Sequence, residues 1–383
     1  MMNLLLMFIT TFLLQFLVTA EMNIIGPLAP FLASHFNINE SMVILFNLGY
    51  SAVGFLVPYL GVFADKHGKK RSLIISLSLF IIGSTIAGFA NNPHIFAFAR
   101  IFIGFSFFSI SGTNLSYISE FVSYDNRGKA SGLLRIAFGI AILFSPIYAG
   151  FLVSKYDNLQ SIYMPLAFLA LLALFLLTRL PETNKCSDIK IDKKEFLSLL
   201  KNPLAAKVLL TVFLILTGPS LILNYLSIYL SNNFNLSQVN IGMAYTLVAA
   251  GSTGGIALSA IFSDKIGKLK LSKILFLIMF LAILPIPYLK SLVTLLGFTI
   301  IFALGMDGAW TSYQTFASEI IPEKRGTFMS LFYTMNAITV TFYSLLGPIL
   351  YNTGGFKLIS TIAFLAVGIG VLIVSKFSLH EHS

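Results

Sequence analysis

Four ionisable residues stand inside long apolar runs of this chain: Glu21, Arg100, Arg135 and Asp307. Charges in a hydrocarbon environment are costly, so such residues are functional by default. At 1.5 Å per helical residue, Glu21 lies roughly 13 Å and Arg100 roughly 10 Å from the same end of their runs. Equal depth suits an ion pair that a proton on Glu21 would release, or a static pair that only ties two helices. Asp307 is followed at i+3, i+4 and i+7 by Trp310, Thr311 and Gln314, all on one helix face. A carboxylate beside an indole suits an amphipathic cation, the acid supplying charge and the ring a cation–π surface. Hydrogen bonding to a neighbouring helix is the plainer reading. Arg135 has three open roles: a snorkelling side chain, a partner for Asp307, or an attractor of an anionic substrate.

These residues need membrane helices to hold them. The 383 residues are 57% hydrophobic and 10% charged, against about 25% charged in a soluble domain. Twelve runs are long enough to span a bilayer: 3–28, 42–63, 72–90, 94–117, 129–152, 161–179, 205–230, 239–262, 272–289, 292–317, 327–350 and 357–376. The fold expected is all-α and integral to the membrane, as two pseudo-symmetric six-helix bundles. Residues 1–179 and 205–383 form the bundles, and 180–204 a cytoplasmic linker whose stretch 192–200 has amphipathic spacing.

The net charge of +10 is topological. Basic residues crowd the loops on one side, and the other side holds only Lys155, Lys290 and Lys357. That bias puts both termini in the cytoplasm and excludes nucleic acid as the reason for the charge. The lone cysteine, Cys186, allows no intrachain disulfide, and the histidines His35, His67 and His94 fall near loops, so no metal or cofactor is expected. Walker A, Gly-x-Ser-x-Gly and His-rich metal patterns are missing, so this chain reads as neither an ATPase nor an enzyme.

The chain also repeats itself. Gly61-Val-Phe-Ala-Asp65-Lys-His-Gly68-Lys-Lys-Arg71 has a shorter copy, Asp264-Lys-Ile-Gly267-Lys268, with the aspartates 199 residues apart. Glu120 and Glu319 are 199 apart too, each followed by Arg-Gly, at Arg127-Gly128 and Arg325-Gly326. Arg71, Glu120 and Arg127 are expected to form a charge network, and Asp65 to accept backbone N–H bonds at a helix N-terminus. Duplicated membrane halves are the architecture of secondary transporters.

The Gly61-x-x-x-Asp65-x-x-Gly68-x-x-Arg71 signature, the two six-helix halves and the basic central loop resemble the major facilitator superfamily. The resemblance implies that this loop gates the inner side, with Asp65 meeting the start of helix 11. Arg100-x-x-x-Gly104 is similar to a motif of proton-coupled members. Ser145-Pro146-Ile147-Tyr148-Ala149-Gly150 resembles the Gly-Pro-x-x-Gly-Gly element of drug/proton antiporters, with Ser145 and Ala149 in place of glycines. Leu304-Gly305-Met306-Asp307 is similar to multidrug exporters of Gram-positive bacteria, which also carry a helix-7 acid where this chain has Asn224. The function implied is proton-coupled efflux of small amphipathic or cationic compounds by a monomer in a bacterial cytoplasmic membrane. A transporter of a sugar, nucleoside or other metabolite, and a non-transporting membrane sensor, stay open beside it.

Overall fold

The computed structural model describes residues 4–123, 127–183 and 198–377, and helices are the only regular structure among them. The first unit, Met1–Ile191, contains six membrane helices. These are α1 (Leu4–Met22), α2 (Glu40–His67), α3 (Lys69–Gly88), α4 (Pro93–Ile118), α5 (Arg127–Tyr156) and α6 (Gln160–Thr178). The second unit, Asp192–Ser383, begins with α7 (Pro203–Phe234), α8 (Gln238–Ile266), α9 (Lys268–Ile283) and α10 (Leu292–Ile320).

The last helical stretch, Arg325–Ser375, is continuous by hydrogen bonding, which gives eleven span candidates among the described residues. A 51-residue helix would reach about 77 Å, more than twice the thickness of a hydrocarbon core. Gly355 resolves this, with φ 61° and ψ −158°, a region open essentially to glycine alone. It divides the stretch into α11 (325–354) and α12 (356–375), and the expected count of twelve holds.

Other boundaries are set by local chemistry. Asn92, Asn202 and Ser237 cap α4, α7 and α8 by accepting from backbone N–H groups, and Pro93 and Pro203 take first-turn positions, where a missing N–H costs nothing. α1 ends at Met22 rather than continuing to 28; a turn over 23–28 leads to a short helix, Ala29–Phe36. α2 tightens to 3₁₀ geometry at Val53–Leu56, just before Pro58, which has no N–H for a carbonyl four residues back. Residues 184–197, which hold Cys186 and most of the expected surface helix at 192–200, lie outside the described residues.

Within the first unit α1 packs on α4, α5 and α6, and α3 on α4 and α6. In the second, α7 packs on the α11–α12 stretch, and α10 on both α8 and α9. These contacts bring helices distant in sequence together within each unit.

Candidate functional site

The core of the first unit contains an ion pair. Arg100 donates from Nη1 to Oε1 of Glu21, and the two side chains are 1% and 0% exposed. Arg100 sits two turns into α4, and Glu21 lies in the last turn of α1, one residue before that helix ends at Met22. Three neighbours complete the cluster. Asn47 of α2 accepts from Arg100 Nη2 at 3.2 Å, the Tyr50 ring lies 4.5 Å from the guanidinium carbon, and Tyr163 of α6 donates to Glu21 Oε1 at 3.4 Å. Four helices therefore meet at one charge pair. Removing one member of a buried pair typically costs 3–5 kcal/mol, about what a proton on Glu21 would forfeit without compensation.

The Arg100-x-x-x-Gly104 spacing has a physical reason here. A Cβ at Gly104 would stand 2.4 Å from the Tyr50 carbonyl oxygen. Gly104 lets α2 approach α4 closely, and one turn away the same Tyr50 presents its ring to Arg100.

In the second unit Asp307, Trp310, Thr311 and Gln314 share a face of α10 and are all partly exposed. Gln314 donates to the Tyr333 hydroxyl of α11, and the Trp310 ring lies 4.9 Å from that of Phe332. A carboxylate, an indole and an amide thus line one strip, with aromatic rings beside it. Asn224 of α7 donates to the Ser220 carbonyl at 2.9 Å. Arg135 lies exposed on α5, next to exposed Ile136. Pro146 and Gly150 are buried in α5, and Tyr148 between them ties α5 to α6 by donating to the Ile162 carbonyl at 2.9 Å.

At the loop ends the repeat is visible in the backbone. Gly68 has φ 98° and ψ 133°, and Gly267 φ 97° and ψ 130°. Both are left-side conformations that favour glycine. Each glycine ends one helix and starts the next.

The charge network differs from expectation. Glu120 takes Lys69, not Arg71; Arg71 is exposed, and the side chain of Arg127 lies outside the described residues. The second unit repeats the contact, Lys268 donating to Glu319 at 2.5 Å. Lys69 and Lys268 are again 199 residues apart, a signal the sequence contained. Asp65 does not sit at a helix N-terminus. It lies in the last turn of α2, where the helix dipole disfavours an acid, and Lys69 Nζ offsets it at 3.8 Å. Asp264 is exposed, and Gly61 has open space where a Cβ would go.

Two lysines have a role that charge counting missed. Lys70 donates to the Thr178 and Leu180 carbonyls at 3.0 and 2.6 Å, closing the C-terminal end of α6. Lys273 does the same for α12, reaching the Ser375 and Phe377 carbonyls at 3.0 and 2.6 Å.

Comparison with known proteins places this geometry. The sialic acid transporter NanX of Escherichia coli is 25% identical over 327 residues, covering 81% of this chain and 78% of NanX. Multidrug resistance protein 1 of Bacillus subtilis is 21% identical over 349 residues, covering 87% and 90%. The crystal structure of a D-xylose–proton symporter superposes with a TM-score of 0.79 at 19% identity, covering 97% of each chain. The family model described as Major Facilitator Superfamily matches residues 11–342 and 208–382. The chain belongs to the Major Facilitator Superfamily, whose members are membrane transporters and not enzymes.

Proposed function

We propose that this protein is a proton-coupled secondary transporter that exports small amphipathic or cationic compounds by alternating access. The observation that carries the reading is the buried Glu21–Arg100 pair. A carboxylate and a guanidinium withdrawn from water are a costly way to hold helices, and protonating Glu21 changes the charge of the core by one unit. Asp307, flanked by Trp310 and Gln314, supplies a site for the cation, and the chain's 37 phenylalanines and 11 methionines suit an adaptable apolar pocket. The likeness to a multidrug resistance protein supports this choice of cargo. The lysine-rich face is cytoplasmic by the positive-inside rule, with both termini on that side of a bacterial cell membrane. The chain works as a monomer of two bundles, 1–179 and 205–383, joined by the linker 180–204. The ends around Gly68 and Gly267, with Asp65, Glu120 and their lysines, form its inner gate.

Three observations favour a second cargo. Asn224 stands where cation exporters carry an acid, Arg135 is exposed on α5, and a sialic acid transporter is among the relatives. An anionic metabolite fits those three facts.

Proton flux in everted membrane vesicles, followed with a pH-sensitive dye, decides between them. Ethidium should evoke proton release in the parent and not in Asp307→Asn or Glu21→Gln. Silence with ethidium and a response to a sugar or to sialic acid would overturn the cation reading and turn attention to Arg135. Coupling that survives Glu21→Gln would remove Glu21 from the proton path.

A further inference from the structure

Glu21 is enclosed by groups whose contacts respond differently to its charge. Its Oε1 receives both Arg100 and Tyr163, whereas its Oε2 has no hydrogen-bond partner among the described residues and is buried. Oε2 is the oxygen free to carry a proton. Once it does, Arg100 keeps its own charge and loses its counterion. Three contacts remain to it: the Asn47 side-chain Oδ1 at 3.2 Å, the face of the Tyr50 ring at 4.5 Å and the Tyr163 hydroxyl. The Asn47 and Tyr50 contacts persist in both states of Glu21 and strengthen once the guanidinium has lost its counterion. The Tyr163 hydroxyl does the opposite, donating to the ionised carboxylate, which favours the charged form.

The surroundings are otherwise quiet. α4 contributes Arg100, α6 Tyr163 and α2 Tyr50 with Asn47. α5, which also packs on α1, has the cations Lys129, Arg135 and Lys155 exposed among the described side chains.

We infer that Asn47 and Tyr163 are opposed positioning residues that set the pH at which Glu21 changes charge. Asn47, with the Tyr50 ring, shelters Arg100 in the protonated state; Tyr163 holds the carboxylate in the ionised state. The inference rests on the proposed role of Glu21 as proton carrier, and its test is independent of cargo. Asn47→Leu removes the acceptor that the lone guanidinium needs, so protonation of Glu21 becomes harder and its midpoint falls to lower pH. Tyr163→Phe removes the donor to the carboxylate, and the midpoint rises. A hydrogen bond to a charged group supports a displacement of about one pH unit in each direction.

The experiment is a pH titration of the protonated-carboxyl stretch in infrared difference spectra of the purified protein. The band missing from Glu21→Gln identifies Glu21. Its midpoint should move down in Asn47→Leu, up in Tyr163→Phe, and return near the parent in the double variant. Tyr163→Phe loses one hydroxyl and keeps its ring, so this arm decides if Asn47→Leu fails to fold. Unmoved midpoints, or both moving the same way, would overturn the inference while leaving the transport reading intact. Proton coupling retained by Glu21→Gln in vesicles would overturn that reading instead.

Discussion

The contact at Gly104 yields a prediction whose size follows from the coordinates. Replacing Gly104 by alanine puts a Cβ 2.4 Å from the Tyr50 carbonyl oxygen, 2.7 Å from its Cα and 2.9 Å from its carbonyl carbon. All three are backbone atoms, so no rotamer change relieves them. Ordinary contact requires α2 and α4 to part by about 1 Å at this crossing. Overpacking of this kind costs about 1–3 kcal/mol, while exchanging glycine for alanine in a helix returns about 0.5–1 kcal/mol. Gly112 on the same helix isolates the two effects, because a Cβ there meets nothing within 4 Å. Gly112→Ala should be neutral or mildly stabilising, and the gap between the variants is the packing term alone. That gap corresponds to about 2–12 °C in melting temperature for a unit of this size, read by size-exclusion chromatography after stepwise heating in detergent. Gly104→Ala should also weaken the proposed proton coupling, because it pushes the Tyr50 ring away from Arg100. Equal melting of the two variants would refute the close-approach argument.

Further expectations concern the helix ends and the gate. Lys70→Met should lower stability by about 1–2 kcal/mol through loss of two charge-assisted bonds at the end of α6. Lys273→Met should cost less, because Lys273 is more exposed than Lys70; thermal unfolding of both variants checks the order. Gly355→Ala should cost about 1–3 kcal/mol by forcing a non-glycine residue into its conformation, measured the same way. Asp65→Asn should slow transport in vesicles without abolishing substrate binding. It should shift stability by under about 1 kcal/mol, because the Asp65–Lys69 pair is a long, partly exposed one and Lys69 retains Glu120. Unchanged turnover would remove Asp65 from the gate.

How much of this was legible depends on the kind of signal. Helix number and the repeat follow from hydropathy and spacing, because lipid imposes long apolar runs and glycines mark the turns. The Glu21–Arg100 pair was also legible, since rare intramembrane charges at one depth have few alternatives. Partner choice at the loop ends was not. Lys69, Lys70 and Arg71 are consecutive, and helix phase gives each a different direction: Lys69 meets Glu120, Lys70 turns inward to α6, and Arg71 faces out. Asn47 and Tyr163 are neutral residues with no charge or motif to mark them. Neutral residues in an apolar run show their role only when packing sets them beside a charge.

The 199-residue register also shows where the two units stop matching. Glycine turns and lysine–glutamate contacts recur at that offset on the loop side. Between the matched points, the same register carries Arg100 onto Thr299 and Asp307 onto Phe108. Thr299 is fully buried and bonds its own helix at the Leu295 carbonyl, so the position matching Arg100 carries no cation. Phe108 packs its ring against Tyr50 and Phe107, so the first unit has no counterpart of the α10 carboxylate. Duplication therefore preserved the ends and let the interiors diverge. A gate needs the same motion at both halves, whereas a buried proton carrier and a substrate carboxylate would compete if both units carried both. Under the proposed roles of Glu21 and Asp307, the proton carrier and the cargo carboxylate belong to different units, so coupling between them would be a property of the whole chain rather than of either half.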